Sequence, residues 1–592
     1  MLSFDSILVI LVIIFILISL YDEIIGPAFT FVTGVVFLTL FGVITPKEMI
    51  AGFANEQVLV IIMLLLIGDV IRKTGVIDGL FDLIFRKTKS QKGFLIKMML
   101  PVAAFSAFLN NTPLVAIMMP YVQNWSKRHD IPASKFLIPL SYAAILGGCA
   151  TLIGTSTNLL VNGFVQDQTI VPELDSIGMF EFAWVGIPMI FIGILYLFLF
   201  SNRLLPSRKS NISHIASHER EYMVEAVITA KSSLIGKTIP ESELKDLHGL
   251  SLAEINRGPA RIASTNAWIT MSKDDILIFT GNTEAVSELV DKYPGLRLSE
   301  VGHFLKKEQA EVIEVVVSHN SSLINKQVRD AHFRKRYDAV VLGIHRNGEK
   351  LMQKTATIKI KPGDVILLMA GPGFKARFED SHDFYPLQTI REIIKPKLFT
   401  TILILGGLAS VIILSALRFI TLFEGLSAYM LILLLTKTAN PKEVAKSLDF
   451  NLGMIIVMAL ALGTAMIKTG LAEYVAWGII GITKPFGLIG IMIGIYLVTN
   501  ILAAYITTPA AAAIIFPIAL TTAVNLNVDP MPFVLITAFA SAATFITPHG
   551  YQTNLMVYGP GGYKFTDFMR IGLPLNIIFM IVAVTILHIV YF

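Results

Sequence analysis

Thr151-Leu-Ile-Gly154-Thr-Ser-Thr157-Asn158-Leu159 and Thr547-Pro-His-Gly550-Tyr-Gln-Thr553-Asn554-Leu555 are two copies of one pattern, 396 residues apart. Both lie inside apolar sequence. Gly-Thr-Ser-Thr-Asn is nevertheless poor helix material, and Pro548 and Gly550 are worse. Each copy reads as a membrane span that unwinds near its middle. Unwinding exposes carbonyls, which suit sodium ions, and helix N-termini, which suit anions.

The agreement extends outward. Ile71-Arg-Lys73-Thr74-Gly75 is echoed by Ile467-Lys468-Thr469-Gly470. Between these points lie Asn110-Asn111-Thr112-Pro113 with Pro120, and Thr507-Thr508-Pro509 with Pro517. Such ordered self-similarity marks an internal repeat. Residues 93–125 and 486–525 are apolar but interrupted at these polar tips. A proline after the tip suits the first turn of a helix, where no N–H is needed. Both segments read as re-entrant hairpins, because non-helical backbone at membrane depth is tolerated only beside protein or a watery cavity. Two plain spans with a polar kink are the alternative.

The chain has 592 residues, 54% of them hydrophobic and 15% charged, with a mean hydropathy of +0.68. Soluble domains carry roughly a quarter charged residues. Runs long enough to span a bilayer are 4–21, 26–44, 54–71, 136–163 and 180–201, then 398–416, 423–436, 452–468, 531–558 and 571–592. The first run lacks a basic flank and a small-residue cleavage site, so it reads as a retained span. Five spans per half is an odd number, which turns the second copy upside down. Charge agrees. Arg72, Lys73, Arg86, Lys87, Lys89 and Lys92 follow the third span, whereas in the second half the basic loop is 437–446, with Lys437, Lys442 and Lys446. The expected architecture is an α-helical membrane protein of two inverted five-span repeats, each with a re-entrant hairpin. Both chain ends face outside and 206–396 is cytoplasmic, in a multi-pass cell-membrane protein. The only cysteine, Cys149, rules out an intrachain disulfide and a cysteine-based zinc site. A net charge of +5, spread along the chain, gives no reason to expect a nucleic-acid partner.

Each helix N-terminus offers roughly +0.5 charge, so two tips and two broken spans supply about +2. That offsets a dianion without an arginine, and none lies in these segments. Asp69 and Lys97 sit near segment ends, where snorkelling explains them. His549, whose counterpart is Ile153, could titrate or donate to an anion.

Residues 206–220 form a polar linker, and two similar modules follow. Ser232-Ser-Leu-Ile-Gly-Lys237 matches Ser321-Ser-Leu-Ile-Asn-Lys326, Ile255-Asn-Arg257 matches Ile344-His-Arg346, and Asp275-Ile-Leu-Ile-Phe matches Asp364-Val-Ile-Leu-Leu, each 89 residues on. Alternating apolar stretches at 312–317 and 339–344 read as strands in an α+β insert. The expected domains are a first transmembrane repeat (1–205), a linker with module one (206–300), module two (301–396) and a second, inverted repeat (397–592).

On the two tips, the chain resembles the divalent anion/sodium symporter family, which carries dicarboxylates, citrate or sulfate. Hairpin tips in that family carry Ser-Asn-Thr followed by small residues and a proline. Asn111, Thr112 and Pro120 fit, and Asn110 replaces the serine. Ser106 matches another sodium-coordinating serine of the family. The second tip departs. Counting back from Pro517 places Thr507, Thr508 and Pro509 on the motif, so its asparagine is missing, which points away from carboxylate substrates. The stretch Thr547–Tyr563 looks like the branch with a TrkA C-terminal insert, which is associated with sodium/sulfate uptake. The two modules resemble TrkA C-terminal domains (RCK-C-like), some of which bind small nucleotide ligands. No Gly-x-Gly-x-x-Gly follows a strand, so an NAD-binding half is not expected, and a purely structural dimerisation module is an equal reading.

The resemblance implies a homodimer that moves one domain like an elevator, taking up a small divalent anion, sulfate first, with Na⁺. Sodium would be held by Ser106, Asn110, Asn111 and Gly154, and in the second half by Thr507, Thr508 and Gly550. The anion would be held by Asn111, Thr112, Thr157, Asn158, Thr508, Thr553 and Asn554. A dicarboxylate or proton-coupled anion carrier remains open. A channel gated by its cytoplasmic domains is the reading from another class, although no potassium-filter loop is present. No nucleophile–base pair, zinc signature or P-loop suggests an enzyme.

Overall fold

The computed structural model describes residues 3–22, 24–85, 88, 90–208, 222–242, 244, 250–257, 260–263, 269–281, 293–298, 311–319, 321–346, 349–351, 357–371, 373–379, 381, 383–387, 398–441, 444 and 450–592. Most of the expected linker, and Arg86, Lys87, Lys89, Lys442 and Lys446 of the charge argument, lie outside the described residues.

The first half is helical. It contains α1 (Phe4–Tyr21), α2 (Pro27–Leu40), α3 (Pro46–Ala51), α4 (Glu56–Lys73) and α5 (Val76–Phe85). These are followed by α6 (Gln91–Ser106), α7 (Asn111–His129), α8 (Leu137–Gly148), α9 (Ser156–Asp167) and α10 (Ala183–Leu204).

The insert holds two antiparallel five-stranded sheets. The first is built from β1 (Tyr222–Ile228), β2 (Leu250–Arg257), β3 (Ala260–Ala263), β4 (Ile276–Gly281) and β5 (Leu296–Leu298). The second has β6 (Glu311–Val317), helix α11 (Phe333–Tyr337), β7 (Ala339–Arg346), β8 (Glu349–Lys350), β9 (Val365–Ala370), helix α12 (Phe374–Glu379) and β10 (Phe384–Pro386). The strand orders β3-β2-β4-β1-β5 and β10-β6-β9-β7-β8 are the same topology read from opposite edges. A register shift lies between Leu252 and Glu254 in β2 and between Val341 and Gly343 in β7. Arg257 grips Asp275 through Nε and Nη2, each at 2.8 Å, and Arg346 grips Asp364 at 2.7 and 2.8 Å. Such bidentate pairs lock the strand-to-strand connection in each module. Burial raises the Asp364 carboxyl, and the Arg346 guanidinium opposes that shift.

The second helical half begins with α13 (Leu398–Thr401), a π-helical turn and α14 (Gly407–Ala416). It continues through α15 (Leu422–Leu435), α16 (Phe450–Lys468), α17 (Leu471–Thr483) and α18 (Gly487–Tyr505). It ends with α19 (Thr508–Leu526), α20 (Met531–Ala542), α21 (Gln552–Tyr558) and α22 (Phe565–Tyr591). Helices α6 and α18 start 396 residues apart, as do α9 and α21.

Among the described residues six helices are long and apolar enough to cross a membrane, or eight if two bent pairs each count as one span. Those pairs are Pro46–Ala54 with Glu56–Lys73, bent by 46°, and Gly453–Lys468 with Leu471–Thr483, bent by 75°. The runs 136–163 and 531–558 each split into two helices around the non-helical residues 149–155 and 543–551. The other two broken segments are interrupted at 107–110 and 506–507. Helices α18 and α19 have 19 residues each, which is length enough to cross singly.

Every residue of α8 and α20 is buried, so these two helices form the centre of the helical body. Close approach needs small residues there. A Cβ on Gly147 would lie 2.2 Å from the Ala103 carbonyl oxygen, and one on Gly572 would lie 2.1 Å from that of Phe545. Outer helices turn apolar side chains outward, among them Leu11 and Ile18 on α1, Phe191 and Leu195 on α10, and Ile577 and Ile581 on α22. Exposed apolar surface of that extent belongs in lipid. Asp69, near the end of α4, lies 3.0 Å from Arg72 Nε and 3.1 Å from Lys73 Nζ, so the sequence-singled acid is paired. Lys97 donates to Thr88 Oγ1 at 3.2 Å.

Candidate functional site: two tips and two unwound stretches

Unwinding frees carbonyls that must find donors. The asparagines of the repeated pattern supply them. Asn158 Nδ2 donates to the carbonyls of Thr151 (2.9 Å) and Gly148 (3.3 Å). Asn554 Nδ2 donates to those of Thr547 (3.1 Å) and Thr544 (2.8 Å). The threonines at the head of the pattern tie each unwound stretch to the helix before the tip. Thr151 donates to the Ala107 carbonyl, and Thr547 donates to that of Ala504 at 2.9 Å.

At the tips, the first residue caps the helix that follows. Asn110 accepts from the Thr112 N–H at 3.2 Å, and Thr507 accepts from that of Ala510 at 3.4 Å. The next residues reach across to the other half. Asn111 Nδ2 donates to Tyr551 Oη at 2.7 Å, and Thr112 Oγ1 donates to Gln552 Oε1 at 2.8 Å. Thr157 Oγ1 donates to Thr508 Oγ1 at 3.1 Å. Tip one therefore touches the end of unwound stretch two and the start of α21, and tip two touches the first turn of α9, just past unwound stretch one.

Oxygen atoms crowd behind tip one. Ser106 Oγ is within hydrogen-bond distance of both Asn111 Oδ1 and the Ala144 carbonyl, the latter at 2.7 Å. One hydroxyl proton serves two acceptors there. Asn158 Oδ1 is buried with no hydrogen-bond partner, as is Thr544 Oγ1, which stands 396 positions after Gly148. Gly148 makes room for the cluster, since its Cβ would lie 2.9 Å from Asn111 Nδ2 and 2.7 Å from Thr155 Cγ2. A Cβ on Gly154 would sit 2.4 Å from the Gly148 carbonyl oxygen. Neutral oxygens short of protons, beside unwound backbone, fit a sodium ion. Among the described residues no cluster of three or more His, Cys, Asp or Glu could hold a metal. A pocket borders this point, lined by Asn110, Gly154 and Ser156 with Ile61, Leu65 and Phe108.

The structure thus brings Ser106, Asn110, Asn111 and Gly154 together, and sets Thr112, Thr157 and Thr508 at the crossing. Thr553 and Asn554 are fully buried and both accept from Ser141 Oγ, at 2.8 and 2.7 Å. The Gly550 N–H donates to Thr547 Oγ1 at 3.1 Å. His549 is exposed and its ring meets Tyr558 edge-on at 6.1 Å. The sequence reading did not single out Ser141, Tyr551, Gln552 or the Ala144 carbonyl. Tyr551 and Gln552 lie inside the repeated stretch, at two of the four positions where the copies differ, and that difference alone does not single them out.

Crossed polar tips inside a lipid-facing helical body suit a multi-pass membrane transporter. Comparison with known proteins agrees. The chain belongs to the family described as Citrate transporter, whose profile matches residues 9–497 and 425–592. A Chlamydomonas reinhardtii protein named for sulfur deprivation response regulation is 32% identical over 562 residues, covering 93% of this chain and 95% of that protein. An uncharacterized transporter of Synechocystis, sll0640, is 32% identical over 581 residues, covering 94% of this chain and 92% of its own length. Sodium/sulfate cotransporter 2 of Chlamydomonas reinhardtii is 26% identical over 765 residues, covering 94% of this chain and 86% of that one.

Proposed function

We propose that the protein is a sodium-coupled secondary transporter for the uptake of a small divalent anion, sulfate before others. One observation carries the coupling. Asn111 belongs to both halves of the task, its Oδ1 facing Ser106 in the oxygen cluster and its Nδ2 facing Tyr551 at the crossing. A sodium ion held by Ser106 Oγ, Asn111 Oδ1 and the carbonyls near Gly148 and Gly154 orients that amide. The same amide, with Thr112, Thr157 and Thr508, then presents donors to the anion. Each ligand stabilises the arrangement the other needs, which is thermodynamic coupling. A second sodium position near Thr507, Thr508 and Gly550 follows from the repeat, with Thr544 Oγ1 as its uncommitted oxygen. Asn158 and Asn554 hold the unwound backbone in shape around the anion, and Thr553 stands beside them, tied to Ser141. The names of the relatives support sodium and sulfate, and the missing asparagine of tip two supports a tetrahedral oxyanion over a carboxylate.

The architecture that serves this reading is two inverted repeats (1–205 and 397–592), each with a re-entrant hairpin, in a homodimer with elevator motion. Its insert is two TrkA-C-like domains (206–300 and 301–396) on the cytoplasmic side. Regulation by the insert has a contact to act through. Gly363, in the turn before β9, packs on the helical body, and a Cβ there would lie 3.1 Å from Leu555 Cδ1 on α21. Arg208, where the chain leaves for the insert, bridges buried Asp567 at 2.8 Å and donates to the Gly562 carbonyl.

The test is uptake of labelled sulfate into proteoliposomes with and without an inward sodium gradient. Sodium-dependent uptake blocked by cold sulfate but not by succinate supports the reading. Uptake of citrate or succinate in its place moves the assignment to the carboxylates named by the family description. Uptake driven by a proton gradient alone removes sodium from it.

A further inference from the structure

Between the shared glycine and the shared Thr-Asn, the two copies of the pattern differ at both positions. Where the first has Thr155 and Ser156, the second has Tyr551 and Gln552. Thr155 turns back to cap its own helix, accepting from the Asn158 N–H at 3.2 Å. Tyr551 makes no side-chain cap. It reaches tip one instead, and so does Gln552. In both contacts the residue from the second half is the acceptor, and tip one gives the proton. Tyr551 Oη and Gln552 Oε1 therefore occupy the positions on Asn111 and Thr112 that an anion oxygen would take.

Their own protons are uncommitted. Neither the Tyr551 hydroxyl proton nor the Gln552 amide nitrogen has a partner among the described residues. Gln552 is exposed although the next two residues are fully buried, so it stands on the open side of the crossing. A phenol and a five-atom amide arm are also bulkier than the threonine and serine of the other copy.

We infer that Tyr551 and Gln552 determine which anion the site accepts. This rests on the reading of the crossing as an anion site. With no anion present they satisfy the donors of tip one. When an anion arrives it takes over those donors, and the displaced phenol and amide turn their own protons toward it. A fully deprotonated oxyanion with one central atom accepts every proton offered. A two-carboxylate chain has to share the open side of the crossing with the Gln552 arm, which is exposed there. An anion that keeps a proton at neutral pH, such as hydrogen phosphate, leaves one of its own donors facing other donors. Unpaired polar groups of that kind give strong discrimination.

The experiment uses the purified full chain. Thermal stabilisation is recorded with sulfate, thiosulfate, selenate, molybdate, phosphate, succinate and citrate in sodium buffer, and the same anions compete against labelled uptake. Gln552→Ala is expected to admit succinate as a competitor and to raise the KM for the preferred oxyanion about tenfold, the loss of one hydrogen bond to a charged group. Tyr551→Phe is expected to raise that KM by a similar factor without admitting succinate. Should Gln552→Ala not fold, Gln552→Asn retains the amide on a shorter arm and should shift the ranking in the same direction. If the wild type binds and transports an anion but Gln552→Ala ranks the anions as the wild type does and Tyr551→Phe leaves the KM unchanged, this inference is overturned and the transport reading stands. If no anion stabilises the wild type or competes, both fall.

Discussion

The amide nitrogen of Asn111 lies 2.7 Å from the phenol oxygen of Tyr551, across 440 residues of chain. The amide oxygen of the same side chain receives the hydroxyl of Ser106. One side chain therefore joins the oxygen cluster to the crossing. Replacing it with alanine removes both. Asn111→Ala should raise the sodium concentration for half-maximal uptake about tenfold or more, given the energy of a hydrogen bond or ion contact at a charged ligand. Titrating sodium against initial uptake rate checks this. Unchanged sodium dependence would remove Asn111 from the cation site.

Gly148 can be tested for shape alone. A methyl group there would meet the Asn111 amide and the Thr155 methyl at under 3.0 Å. Gly148→Ala should lower stability by about 1–3 kcal/mol, as overpacking does, while reducing uptake far more steeply than melting temperature. A variant that transports normally would show that Asn111 has freedom to move.

Asn158 and Asn554 each hold two carbonyls of an unwound stretch. Alanine at either position removes a donor from both carbonyls, leaving that of Thr151 only the Gly154 N–H at 3.4 Å, at about 1–3 kcal/mol for a buried unsatisfied group. Both variants should melt earlier, with faster hydrogen exchange in 148–155 or 544–551 respectively. Loss of transport with unaltered exchange would instead place these amides directly on the anion.

The repeat, the polar tips and the unwound stretches were legible because glycine, proline and asparagine punctuate apolar sequence there, and punctuation is local. The crossing was not legible. Nothing near Thr112 in the chain announces Gln552, since the contact depends on how two distant helix breaks pack. Ala144 contributes a carbonyl, and side-chain identity says nothing about where a carbonyl points. Helices α5 and α17 were missed for another reason. At 10 and 13 residues they are too short to span, and hydropathy windows tuned to a bilayer pass over them.

The insert contact predicts a change in rate without a change in preference. Gly363 has φ +79°, a conformation L side chains rarely adopt, and it abuts Leu555. Gly363→Val should disturb that contact and alter the maximal uptake rate while leaving the anion ranking as in the wild type. Arg208→Ala, which unpairs Asp567, should do the same. A changed ranking in either variant would count against a purely regulatory contact.

His319, beside Tyr385 in the second sheet, is pushed down to about 4 by burial. It stays neutral in the folded insert, whereas the unfolded chain takes up a proton near pH 6.5. Between these values the unfolded state binds more protons, so stability falls as pH drops from about 6.5 toward about 4. Melting temperature measured over that range should decline, and His319→Gln should flatten the decline.

Because each tip leans on the repeated pattern of the other copy, neither copy owns the whole crossing. A gene that doubled and then diverged would ordinarily let one copy decay while the other kept the work. Here that freedom is closed, since a change in either half reaches across to its twin. Two fragments cut within the insert should regain activity only when made together, and a chain carrying the first half twice would repeat Thr155 and Ser156 where Tyr551 and Gln552 now stand.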